Sequence, residues 1–399
     1  MNLDLLQTLA VAALVVAIGE WLCVRIGVLA RFSLPPPVVG GLLAAGLITT
    51  GAASSGLEWT FDKTLQQPLL IAFFATIGFG ARLELLRRGG VQVALFLAAC
   101  TLVAVLQSGL GMLVAAWFDQ PPLFGVLIGV VTLSGGPATG AAFAPLFESA
   151  GVEGAGAIAV ASAMSGIVLG GLLGGPIAAH WIRRRHLLPG TTGSEVGATL
   201  EAGGLELASD ESASPSRVLA SVLVLLMVVG AGTAVSTFIG RLGITLPGYI
   251  GAMLLAAMVC NLVPRLSQRR LWCSRTLDQI GNVALSLFLA MWLMTLDLRQ
   301  LAGVALPLMV NLVLQAVLLV GVFGIVWRMM GRDYDAAVMG GGFIGFMLGT
   351  TATALAVMRT LAARFGVAPR AFLVAPLVGA FFIDFTNALL ITGFLNLLA

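Results

Sequence analysis

The chain has 399 residues, 59% of them apolar and only 10% charged, with a mean hydropathy of +1.04. An ordinary soluble domain, about a quarter of it charged, is excluded, and the composition is that of an integral membrane protein. The net charge of +3 does not point to nucleic acid, because the 21 basic residues are spread over short connections and Lys63 is the only lysine.

Residues 1–4 carry no basic segment and no small-residue cleavage pattern follows, so the apolar run 5–24 is expected to stay as a span. Further runs at 38–53, 91–117, 155–179, 218–239 and 301–326 approach the roughly 20 residues that a bilayer core requires. No stretch alternates as a β-barrel strand would. Cys23, Cys100, Cys260 and Cys273 show neither disulfide nor metal-ligand spacing and read as packing residues.

Two apolar segments are interrupted, at Ser134-Gly-Gly-Pro-Ala-Thr-Gly140 and at Gly345-Phe-Met-Leu-Gly-Thr-Thr-Ala-Thr353. Glycine, proline and β-branched residues weaken a helix, and a broken helix survives in a membrane only where its freed backbone groups face protein or a water-filled site. Basic residues then choose the topology. With both broken segments re-entrant and the amino terminus outside, every basic residue except Lys63, Arg241 and Arg299 falls on the inside. If both crossed instead, the basic residues would divide almost evenly between the two sides. The bias selects ten membrane-spanning helices, re-entrant loops at 122–150 and 336–362, and both termini outside.

Leu34-Pro-Pro-Pro-Val-Val-Gly-Gly41 resembles Thr245-Leu-Pro-Gly-Tyr-Ile-Gly-Ala252, and on one constant spacing Thr139 aligns with Thr353 and Gly170 with Asp384. The predicted fold is an all-α polytopic membrane protein of two five-helix repeats, 1–182 and 218–399. An odd number of spans gives the second repeat inverted orientation, as in many secondary transporters. Residues 183–217, rich in Gly, Ser and acidic side chains, read as a flexible cytoplasmic linker.

In such a repeat the two breaks meet near the midplane, where half-helix amino termini attract anions and hydroxyls can ligate a cation. Ser134, Gly135, Gly136, Thr139 and Gly140, with Gly345, Gly349, Thr350, Thr351 and Thr353, are the candidate substrate-binding residues. Asp384, set within the last span, and Asn387, three residues on, share a helix face and could offer a carboxylate and an amide oxygen to a sodium ion, with Thr353 as a further ligand. A structural carboxylate paired to a neighbouring helix is the other reading of Asp384. Gln107, Asn282, Asn311 and Gln315 read as interhelical hydrogen bonds, and Gly125-xxx-Gly129 and Gly166-xxx-Gly170 as close-packing positions. No catalytic constellation or P-loop occurs, so no enzyme activity is expected, and no cofactor beyond a coupling ion.

Thr132-Leu-Ser-Gly-Gly136, Thr139-Gly-Ala-Ala142, Ala72-Phe-Phe-Ala-Thr-Ile-Gly78, Val378-Gly-Ala-Phe-Phe-Ile-Asp384 and Asn387-Ala-Leu389 resemble the bacterial sodium/glutamate symporters. The resemblance implies a sodium-driven L-glutamate importer of the bacterial inner membrane, a homodimer, with both breaks forming the substrate and sodium region. Two departures from the family pattern stand out. Pro137 and Ala138 replace His-Gly in the first break. Phe343, Ile344 and Met347 replace His, Cys and Gly before the second, and Ala352 replaces a proline. These changes suggest a drier site for another carboxylate or a less polar amino acid. A proton-coupled carrier of the same fold is the nearest alternative, with a channel or receptor behind it.

Overall fold

Side-chain caps start helices at Asp4, Asp333 and Thr350, and backbone breaks divide others. The computed structural model describes residues 2–32, 34–55, 59–189, 215–241, 247–267, 272–301 and 303–398. Most of the expected linker therefore lies outside the described residues.

Helix α1 (Leu5–Arg25) starts at Asp4, whose carboxylate accepts the Gln7 N–H at 2.8 Å while the Gln7 amide oxygen accepts the Asp4 N–H at 3.1 Å. A short α2 (Gly27–Arg31), α3 (Pro36–Ser55) and α4 (Gln66–Gly80) follow. Helix α5 (Leu83–Trp117) is broken at Gly90, where φ is 61°. Helix α6 (Pro122–Val126) runs into a π-helical stretch, Leu127–Ser134, before α7 (Gly136–Ser149) and α8 (Ala155–Arg184). The second half comprises α9 (Pro215–Gly240), α10 (Gly248–Ser267), α11 (Ser274–Leu293), α12 (Ala305–Met329), α13 (Tyr334–Met347), α14 (Thr351–Phe365), α15 (Pro369–Leu377) and α16 (Ile383–Leu398). Among the described residues no strand forms, and Asn2 and Thr60 share an isolated bridge.

Two compact units result, and each draws on both halves of the chain. Unit 1 holds Met1–Arg82, Ala141–Pro145 and Asp210–Ala302. Within it α4 packs on α10 and α11 on α3, while α1 packs on α3 and α9 on α10, so the pairings come in matched sets across the two halves. Phe74 of α4 stacks on Tyr249 of α10 at 4.2 Å.

Unit 2 holds Leu83–Gly140, Leu146–Ser209 and Gly303–Ala399. Its core is apolar but encloses a few fully buried amides, while apolar side chains also face outward. Helix α12 exposes Leu306, Met309, Val313 and Val317, each about 60% accessible, and buries Asn311 and Gln315 completely. That inverted pattern suits lipid, where amides serve as interhelical links rather than as a solvated face. Among the described residues six helices are long and apolar enough to cross a membrane. The last segment is less regular than its sequence suggests. A π-helical turn, Val378–Phe382, separates α15 from α16 just before Asp384.

Candidate functional site

Helices α13 and α14 fold back on each other as an antiparallel hairpin. The Tyr334 hydroxyl at the start of α13 donates to the Gly366 carbonyl just after α14. Closer to the turn, side chains on Gly342 and Gly345 would run into Met358 and Ala354. Glycine here permits the contact between the two arms. Thr350 caps α14 by accepting the Thr353 N–H at 3.3 Å, and its hydroxyl lies 3.3 Å from that of Thr353.

The first break has a different form. Gly129 departs from helical geometry at φ −95° and ψ −113°, and Gly136 adopts φ +70° before Pro137 occupies the first turn of α7. The two breaks meet within unit 2. A Cβ on Gly136 would stand 3.2 Å from Thr350 Cγ2 and 3.5 Å from the Gly349 carbonyl oxygen. The amino-terminal ends of α7 and α14 thus lie together, and helix dipoles make that place favourable for an anion.

The last helix joins them. Asn387 Nδ2 donates to Ser134 Oγ at 2.7 Å, leaving its buried Oδ1 without a partner among the described residues. Thr351 donates to the Gly379 carbonyl at 3.1 Å, inside the π-helical turn that precedes Asp384. Asp384 itself is half-buried and has no hydrogen-bond or ion-pair partner among the described residues. Of the remaining candidates, Gly135 sits against Thr139, Gly140 against Ala159 of α8, and Gly345 and Gly349 within the hairpin. Thr139 and Thr353 are buried.

A buried amide ladder supports both breaks. Gln107 Nε2 donates to the Met347 carbonyl at 2.8 Å, at the end of α13. Gln315 Nε2 donates to the Gln107 carbonyl at 2.9 Å, and Asn311 Nδ2 donates to the Ile128 carbonyl, also at 2.8 Å, beside the break at Gly129. The expected interhelical role of these amides is met, with one refinement: Gln107 and Asn311 donate to the backbone of the broken segments, and Gln315 ties the two together through the Gln107 carbonyl and the Asn311 side chain. Asn282, by contrast, is exposed. Replacing Gln107 with Leu is expected to strip the Met347 carbonyl of its donor and lower stability by about 1–3 kcal/mol. Thermal unfolding in detergent would read this, and an unchanged midpoint would show that the carbonyl is satisfied otherwise.

Phe343, Ile344 and Met347, which depart from the family pattern, are fully buried in α13, with Phe343 edge-on to Phe96 at 6.0 Å. Their bulk fills helix packing.

Comparison with known proteins adds a further finding. The family model described as sodium/glutamate symporter matches residues 1–367. A sodium/glutamate symporter of Escherichia coli (strain K12) is 39% identical over 400 residues, covering 99% of this chain and 98% of that protein. The protein of the same name from Haemophilus influenzae is 35% identical over 390 residues, covering 96% and 95%.

Proposed function

The chain belongs to the sodium/glutamate symporter family, and from that premise we propose that it couples inward sodium movement to uptake of L-glutamate or a related anionic amino acid or carboxylate. It works in the bacterial inner membrane, with ten spans in two inverted repeats, a re-entrant loop in each and both termini periplasmic. The arginine distribution supports this topology. Two copies form a homodimer.

One contact supports the site assignment most: Gly136 of the first break lies against Thr350 of the second. The converging ends of α7 and α14 receive the substrate carboxylate. Ser134, Thr139, Thr350 and Thr351 supply hydroxyls around it. Asp384, Asn387 and Thr353 offer oxygens to sodium, the Asn387 Oδ1 being a buried acceptor with no protein partner among the described residues. Both breaks, Asp384 and Asn387 belong to unit 2, which favours an elevator-type movement of that unit as one body.

The deciding measurement is uptake into proteoliposomes. An imposed sodium gradient, with no pH gradient, is expected to concentrate L-glutamate. Accumulation that follows only a pH gradient would transfer the coupling to protons, with Asp384 titrating. A panel of amino and dicarboxylic acids, tested for binding with and without sodium, identifies the substrate.

A further inference from the structure

Of the basic residues expected outside, only Lys63, Arg241 and Arg299 remain, and two of them line one cavity in unit 1. The cavity, about 340 Å³, lies between the end of α3, the turn before α4 and the segment after α11. Arg299 is held at its edge, where Nη2 donates to the Thr49 carbonyl at 3.2 Å. Asp297 offsets it only in part. Its Oδ1 accepts the Arg299 backbone N–H at 3.0 Å and stands 4.0 Å from the guanidinium Nε. The exposed Lys63 ammonium has no carboxylate partner among the described residues. The cavity therefore keeps a positive excess.

Trp59, 41% exposed, adds an indole, and Phe61 and Ile48 supply an apolar wall. Ile48 packs with Ala44 against the interior of unit 1, whereas Leu47 and Leu43, one turn apart on the next face of α3, leave an exposed apolar track beside it. Cations beside an indole, opening onto an apolar track, match a phosphate whose acyl chains run down the helix. A small free carboxylate would use the cations and leave the track empty.

We propose that this cavity binds the phosphate of an anionic glycerophospholipid. Its leaflet rests on the topology proposed above; its chemistry does not, and its test is independent of transport.

The full chain would be reconstituted in vesicles of phosphatidylglycerol and phosphatidylcholine and examined by native mass spectrometry after release. A retained phosphatidylglycerol is expected on the unaltered protein. In the double variant Lys63→Gln/Arg299→Gln that adduct should fall about thirtyfold, as the loss of two cations beside an anionic headgroup predicts. Arg241→Gln, which leaves the cavity intact, should keep it, and so should Lys63→Arg. A thermal unfolding curve for each variant separates lost binding from lost folding. Equal adducts on the double and unaltered proteins overturn the proposal. Displacement of the lipid by saturating L-glutamate also overturns it, assigning the cavity to a free carboxylate.

Discussion

Asp384→Asn is expected to abolish concentrative uptake while the protein still inserts and folds. The carboxylate sits in an apolar segment, where a charge costs on the order of 3 kcal/mol on insertion scales. Because it has no ion-pair partner among the described residues, neutralising it breaks no structural pair and leaves no opposite charge stranded. An amide of nearly the same shape fits the space, so the loss reports on function and not on packing. A sodium-binding role predicts that substrate binding loses its sodium dependence. A proton-carrying role predicts instead a loss of pH dependence. Unchanged sodium-driven accumulation in the Asn variant would remove Asp384 from the mechanism altogether. Asn387→Ala is the companion variant, since it removes the buried Oδ1 and frees Ser134 together.

The breaks were legible because glycine, proline and threonine weaken helices whatever surrounds them, and Ser134–Gly136 and Leu348–Thr350 do interrupt helices in the structure. Their approach to each other, Gly136 beside Thr350, was legible too, from the expectation of a repeat. Other features carry no local signal. The turn at Val378–Phe382 is spelled Val-Gly-Ala-Phe-Phe, which a regular helix accommodates equally well. An amide in an apolar run announces that it needs a partner, not which one, so the targets of Gln107 and Asn311 came only from the coordinates. The compact units were hidden for a topological reason. The expected repeats follow chain order, whereas each unit gathers helices from both halves of the chain. Phe343 and Ile344 show the same limit: the sequence marks them as departures from the family pattern, but only the coordinates show that both are fully buried, with Phe343 edge-on to Phe96 of α5.

Gly166 and Gly175 lie on the same helix, α8, yet their alanine variants should move stability in opposite directions. A helical Gly→Ala change gains about 0.4–1 kcal/mol by restricting the unfolded chain, provided the methyl has room. At Gly175 nothing lies within 4 Å of the new Cβ, so a small gain is expected. At Gly166 the methyl would stand 2.3 Å from the Leu348 carbonyl oxygen and 2.7 Å from Leu133 Cδ2. The carbonyl belongs to backbone at the hairpin turn and cannot swing aside as a flexible side chain could. Leu133 immediately precedes Ser134, so a single added carbon presses on both breaks together. Overpacking of this kind costs typically 1–3 kcal/mol, and relief would displace Gly349 and Thr350 from Gly136. Gly166→Ala is therefore expected to lower the unfolding temperature and to cut uptake well beyond what reduced protein amount explains, whereas Gly175→Ala keeps full uptake. Equal behaviour of the two variants would show that the turn yields without cost, and would detach the close approach of α8 from the geometry of the site.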